Sequence, residues 1–173
     1  MTKTAFAVVV ALCLGVTIPA TAQNAAPSQQ LDDATLVTKY RAAAERGNRY
    51  AQYTLGNTYA YGQGVEQDDA QAVAWYRKAA DRGHSGGQYK LGFMYLTGRG
   101  VEQDDAQAVA WFRKAAEQGH ATAQYSLGAM YERGRSVAQD NAQAVAWYRK
   151  AADQGDSDAQ QSLLEMEASG LVK

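Results

Sequence analysis

The sequence predicts an all-α fold, a solenoid of stacked helix pairs with a 36-residue period, and three observations carry that prediction. Trp75, Trp111 and Trp147 lie 36 residues apart, as do Gly47, Gly83, Gly119 and Gly155. The segment GVEQDDAQAVAW at Gly64–Trp75 returns unchanged at Gly100–Trp111, and the third copy keeps AQAVAW at Ala142–Trp147. Within a copy, Ala51, Leu55 and Tyr59 stand at i, i+4 and i+8, the spacing of an apolar stripe on a helix.

Residues 1–22 read as a secretory signal. Lys3 gives the positive start, Ala5 to Val16 the apolar stretch, and Ala20-Thr21-Ala22 a small-residue cleavage site, so cleavage is expected near Ala22, before Gln23. The expected location is periplasmic or secreted. The apolar stretch is too short for a bilayer core of roughly 30 Å, and no membrane insertion is expected. A lipid anchor on Cys13 is the alternative; Leu12 before it, where a small residue belongs, weighs against it. Cleavage removes the only cysteine, leaving packing to hold the fold. It also removes Lys3, taking the formal charge from −1 to −2, which argues against nucleic acid or an anionic membrane as partner.

Residues 23–30, with Pro27 and Ser28 among glutamines and alanines, read as a flexible leader. A half copy at 31–47 matches the second part of the unit. Three complete copies follow at 48–83, 84–119 and 120–155, and a half copy at 156–173 reads as a cap, with Glu167 in the register of Tyr59, Tyr95 and Tyr131. Each unit divides into helix A and helix B. Helix A ends at the glycines of Gly62-x-Gly64. Helix B starts at an Asp68/Gln71 capping box, repeated as Asp104/Gln107 and Asp140/Gln143, and stops at Gly83. Gly56, Gly92 and Gly128, with paired alanines in each helix B, allow neighbouring helices to approach to the short end of roughly 8–10 Å.

The pattern Ala51, Leu55-Gly56, Tyr59, Gly62-x-Gly64-Val65, Asp68, Ala72, Trp75-Tyr76, Ala79-Ala80 and Gly83 resembles the Sel-one-like repeat, a relative of the tetratricopeptide repeat. The resemblance covers nearly everything after residue 31. It implies a right-handed superhelical α/α solenoid and an adaptor function in signalling, secretion or envelope complexes. Departures are Gly87 in place of alanine, Ser136 in place of the second loop glycine, and Phe112 in place of tyrosine. Cysteine-rich relatives are associated with β-lactam binding or hydrolysis, but they staple each repeat with a disulfide that this chain cannot form.

No catalytic, cofactor-binding or metal-binding residue is assigned, and the chain is not expected to be an enzyme. No serine is followed by lysine in S-x-x-K, and G-x-S-x-G and H-E-x-x-H are absent. His84 and His120 hold one position in adjacent copies, too far apart at roughly 10 Å for one metal ion, and Asn48 and Asp156 in the same place point to a role at the start of helix A. Asp68-Asp69 and Asp104-Asp105 lack the ligand spacing of a calcium loop. The tryptophans fit packing between copies better than a ligand row.

Comparing the copies separates scaffold from surface. Helix B barely changes, whereas helix A varies at Tyr50/Gly86/Thr122, Thr54/Lys90/Ser126, Asn57/Phe93/Ala129 and Tyr61/Thr97/Arg133. The resemblance places helix A on the concave side, which makes Tyr53, Asn57, Tyr61, Tyr89, Lys90, Phe93, Thr97, Tyr125, Ser126 and Arg133 the candidate groove. Its expected guest is a protein, as an extended segment or a helix. Tyr53, Tyr89 and Tyr125 share one register and fit either groove lining or packing between repeats. Lys90, Arg99, Arg133 and Arg135 give the second half of the groove a mild positive bias, offset in part by Glu132, toward an acidic segment or a terminal carboxylate. The function expected is an exported adaptor or scaffold; the alternatives are a secreted host- or envelope-interacting factor and a β-lactamase-like enzyme. An open solenoid is compatible with a monomer or with pairing through its end faces.

Overall fold

Each copy folds as two antiparallel helices because the chain writes a start and a stop for both. The computed structural model describes residues 33–171; the expected signal segment and leader lie outside the described residues. Among the described residues eight helices follow one another: α1 (Asp33–Glu45), α2 (Arg49–Tyr61), α3 (Asp69–Asp81), α4 (Ser85–Thr97), α5 (Asp105–Glu117), α6 (Ala121–Arg133), α7 (Asn141–Ala152) and α8 (Ser157–Ala168). Helices α2, α4, α6 and α8 are A helices; α1, α3, α5 and α7 are B helices. Each helix packs on the next in sequence, so the described residues form an α/α solenoid.

The caps alternate in chemistry. Each B helix opens on an aspartate whose Oδ1 accepts from the N–H three residues on: Asp68 from Gln71 at 2.9 Å, Asp104 from Gln107 at 2.9 Å and Asp140 from Gln143 at 3.0 Å. The capping box expected there is only half formed. The N–H that the glutamine side chain would take belongs already to the preceding helix: Asp68, Asp104 and Asp140 donate theirs to Tyr59, Tyr95 and Tyr131 carbonyls at 3.0 Å. The cap of the A helices varies along the chain, Asn48 first, then His84 and His120, then Asp156.

The pairs close around a notch. A Cβ added to Gly56 would stand 2.5 Å from the Tyr76 ring, one on Gly92 2.8 Å from Phe112, and one on Gly128 2.7 Å from Tyr148. The small residues thus admit an aromatic ring of the partner helix, a refinement of the helix approach expected from sequence. Those three rings are each about 1% exposed, and Leu55, Leu91 and Leu127 beside the notches are fully buried, a burial worth about 1.5–3 kcal/mol per leucine before the entropy of ordering is subtracted.

Between copies the ties are polar as well as apolar. The amide nitrogens of buried Gln52, Gln88, Gln124 and the exposed Gln160 donate to the carbonyls of Ala44, Ala80, Ala116 and Ala152 on the preceding B helix. Gln88 and Gln124 then accept from Gln118 and Gln154 at 2.6 and 2.7 Å. Arg82 stands where that glutamine would serve Gln52, and Gln52 Oε1 is buried without a donor. Arg99 grips Asp69, and Arg135 grips Asp105, each through two hydrogen bonds across 30 residues. Arg41, Arg77 and Arg113 donate to the hydroxyls of Tyr59, Tyr95 and Tyr131.

The loop after each A helix presses on the previous copy. A Cβ at Gly100, where φ is +67°, would meet the Asp69 carbonyl oxygen at 2.2 Å, yet the equivalent residue in the next loop is Ser136 with φ +55°. A side chain in the left-handed region costs about 1–2 kcal/mol.

Two stability measurements follow from this packing. Gly92→Ala should lower the urea unfolding free energy by about 1–3 kcal/mol, because the Phe112 ring has no room to retreat; a neutral result contradicts the notch. Ser136→Gly should raise it by about 1 kcal/mol through release of the left-handed strain.

Candidate protein-binding face

The A helices lie side by side closely enough for side chains to bridge them. Lys90 of α4 donates to the Tyr61 hydroxyl of α2 at 2.9 Å and lies 5.5 Å from its ring centre. The candidate residues on α2, α4 and α6 stand in different states. Tyr61 is 57% exposed, and Thr97 and Arg133 are exposed at the C-terminal ends of α4 and α6. Phe93 is half-buried against the main core cluster. Asn57 is half-buried and accepts from the Tyr76 hydroxyl at 2.7 Å. Thr97 and Ser126 turn their hydroxyls to the carbonyls of Phe93 and Thr122 in their own helices, each at 2.8 Å.

The three tyrosines in one register pack between copies with part of each ring still open. Tyr53 stacks on His84 at 4.6 Å between ring centres, and Tyr89 on His120 at 5.0 Å, both at 20°. Each also leans on the notch aromatic of its own copy, Tyr76 or Phe112. Tyr125 keeps the second contact, 5.5 Å from Tyr148, and faces no imidazole because Asp156 replaces it. Burial pushes the Tyr89 hydroxyl above the usual phenol range.

The charges differ from those the sequence suggests. Arg99 and Arg135 are bound to Asp69 and Asp105 and serve the stack. Arg49, absent from the sequence-derived set, joins Lys90 and Arg133 instead. Its Nη2 donates to the Tyr50 hydroxyl at 3.3 Å, and Tyr50 is 61% exposed. The variation at position 50 between copies was the available signal for this pair; nothing in the spacing marked Arg49.

His84 and His120 work as caps. Nδ1 accepts from the N–H of Gly87 at 3.0 Å and of Ala123 at 3.3 Å, which leaves the proton of the neutral ring on Nε2. Burial lowers both imidazoles below their ordinary value; Arg49 and the second histidine lower His84 further, and Lys90 does so to His120. Among the described residues no three His, Cys, Asp or Glu side chains are placed to hold a metal ion, and no helix is long and apolar enough to cross a membrane. Two clefts of about 450 and 500 Å³, one lined around Arg82 and one around Glu102, contain none of the candidate residues.

Stacked helix pairs with caps, notches and loop glycines at one period define an α/α repeat protein. The Sel1 repeat model matches residues 49–84, 85–120 and 121–156, and the chain belongs to the Sel1 repeat family. It is similar to a protective antigen of uropathogenic Escherichia coli strains displaying an SLR fold, with 42% identity and a TM-score of 0.76 over 78% of this chain and 29% of that one. A Sel1 repeat protein from Oxalobacter formigenes is 34% identical with a TM-score of 0.74, over 80% of this chain and 56% of the other. Helicobacter pylori cysteine rich protein B shares the fold at 20% identity and a TM-score of 0.61, over 74% of this chain and 95% of that one. The chain thus spans less than two thirds of the first two. No curated protein matches the sequence. Sel1 repeat proteins are generally scaffolds for protein–protein interaction.

The histidine caps carry a pH dependence. Because the folded-state values are lowered, the unfolded chain binds more protons just below about 6.5, so stability is highest above that pH and falls as the solution is acidified through it. Thermal unfolding from pH 7.5 to 5 should show this loss. The double variant His84→Asn/His120→Asn, which borrows the cap of Asn48, should lose less stability over the same range; an unchanged slope would remove the histidines from the account.

Proposed function

We propose that this chain is an exported adaptor that holds a segment of a partner protein on the face formed by its A helices. The observation that carries the reading is the division of variability: exposed positions on the A helices differ from copy to copy, while those on the B helices, such as Arg77/Arg113/Arg149 and Lys78/Lys114/Lys150, repeat. A solenoid that served only as a spacer has no reason to vary one face alone. Half-open tyrosines supply rigid contact area at low entropic cost, and Tyr50 and Tyr61 stand largely free at the first A helix.

The lysines of the B face support its scaffold role. Lys78, Lys114 and Lys150 lie 3.9–4.0 Å from the ring centres of Trp75, Trp111 and Trp147, covering aromatic surface that a partner would otherwise use. Binding rather than catalysis is the activity proposed, and absence of covalent labelling by a fluorescent penicillin is the expected outcome. A second reading, a secreted or surface-exposed factor using the same face, draws on the likeness to the protective antigen. Recovery of the protein from culture medium rather than from a periplasmic extract would favour it.

Photo-crosslinking in native cells tests the face directly, with the probe at Tyr61 or Phe93 and a control at Lys114. Adducts to one protein from the first two positions alone are expected. Adducts from Lys114 alone would contradict the reading.

A further inference from the structure

The first three A helices carry an excess of cations. Helices α2, α4 and α6 contain Arg49, Lys90 and Arg133 against one carboxylate, Glu132, and that carboxylate accepts from the Tyr148 hydroxyl at 2.7 Å. The B helices α3 and α5 are balanced: Asp69 and Asp81 offset Arg77 and Lys78, and Asp105 and Glu117 offset Arg113 and Lys114. The arginines that bind carboxylates, Arg99 and Arg135, lie in the loops and look back to the preceding copy. The pattern holds from α2 to α6 and stops there: α7 carries Arg149 and Lys150 without a carboxylate, and α8 carries Asp158, Glu165 and Glu167 without a cation.

The nitrogen-bearing side chains of this face are left as donors. Arg49 and Lys90 lean over Tyr50 and Tyr61, 5.2 and 5.5 Å from the ring centres, and meet only phenol oxygens and the Arg82 carbonyl. His84 and His120 use their acceptor nitrogens for capping, so what each has left is an N–H. Thr54, Thr97 and Ser126 have given their hydroxyl protons to their own helices, so their oxygens remain as acceptors at the edge of these donors. Asn57 has its oxygen occupied by Tyr76. Burial is the main cause that lowers His84 and His120, and the neighbouring cations Arg49 and Lys90 add to it. Neither Arg49 nor Lys90 forms an ion pair among the described residues, and Lys90 ties α4 to α2 only through the Tyr61 hydroxyl.

We infer that the stretch from Arg49 across Lys90 to Arg133 receives an acidic segment, one whose aspartate or glutamate carboxylates meet the guanidinium, ammonium and imidazole N–H groups while its apolar side chains lie on Tyr50, Tyr61 and Phe93. The inference rests on the A-helix reading above and adds the chemistry of the partner. Tyrosine rings beneath the cations hold them in place before the guest arrives, which reduces the ordering cost of each charged contact.

The test uses the full chain and three fluorescein-labelled twelve-residue peptides that alternate serine and leucine with glutamate, glutamine or lysine. Anisotropy at about 0.05 M salt should show the glutamate peptide binding at least about tenfold more tightly than the glutamine one, with the difference shrinking at about 0.5 M. Lys90→Glu and Arg49→Glu should each weaken it by about tenfold, and Lys114→Glu on α5 should leave it unchanged. Equal binding of the glutamate and glutamine peptides, no binding of the glutamate peptide, or an effect of Lys114→Glu as large as that of Lys90→Glu overturns the inference. The A-helix reading fails separately: it stands if Tyr61 crosslinks a cellular partner that lacks acidic segments, and falls if only Lys114 crosslinks.

Discussion

The contact on which the rest of this molecule depends is the aromatic ring of each B helix seated over a glycine of its A helix. Tyr76 on Gly56, Phe112 on Gly92 and Tyr148 on Gly128 fix the distance and the rotation of every pair. Once a pair is set, Leu55, Leu91 and Leu127 face inward and the paired alanines of the B helix present a smooth surface to the next A helix. The copies then have only one way to stack. The notch also explains why position 112 tolerates phenylalanine: the ring fills the space, and the hydroxyl that Tyr76 gives to Asn57 and Tyr148 gives to Glu132 is an addition to it. The same position on α8 holds Leu164, which is 61% exposed and has no ring above it among the described residues.

A pair set in this way still leaves apolar surface open, and the chain covers it with the neighbouring copy. The ties that accompany that burial are buried amides and loop arginines. Exposed ion pairs such as Arg99 with Asp69 contribute about 0–1 kcal/mol each, so their value lies more in fixing register than in stability. The buried glutamines matter differently, because Gln88 and Gln124 have both ends of the amide satisfied and Gln52 has one. Asn141 shows the same economy at the other end: it replaces the aspartate that binds a loop arginine in the earlier copies, and its Oδ1 is buried without a partner. Full periodicity therefore holds in the middle of the described array and relaxes toward its ends.

Much of this was legible in the sequence because glycine, aspartate and tryptophan mark positions that tolerate few replacements. The 36-residue period, the aspartate caps and the loop glycines identify helices to within a residue or two. The histidines at the start of α4 and α6 were readable from Asn48 and Asp156 in the same place. The glutamine ladder was not read, although Gln52, Gln88, Gln124 and Gln160 recur at the period, because a glutamine on a helix ordinarily faces water and only the stacking shows that it reaches a carbonyl eight residues back. The charge of the candidate face was misjudged for a related reason. Arg99 and Arg135 sit in loops beside the A helices, and their partners lie 30 residues earlier, a separation that no local pattern reveals.

Each copy is a dependent unit, folded because its neighbours cover it. The most direct measurement is the far-UV circular dichroism of a peptide comprising residues 84–119 alone, beside that of the full chain. The peptide keeps the Gly92–Phe112 notch and both caps but loses the copies on either side, and helices of 13 residues are marginal without tertiary cover. Little helix in the peptide is the predicted result. A peptide as helical as the intact array would show that each pair stands by itself, and would contradict the claim that stacking holds the fold.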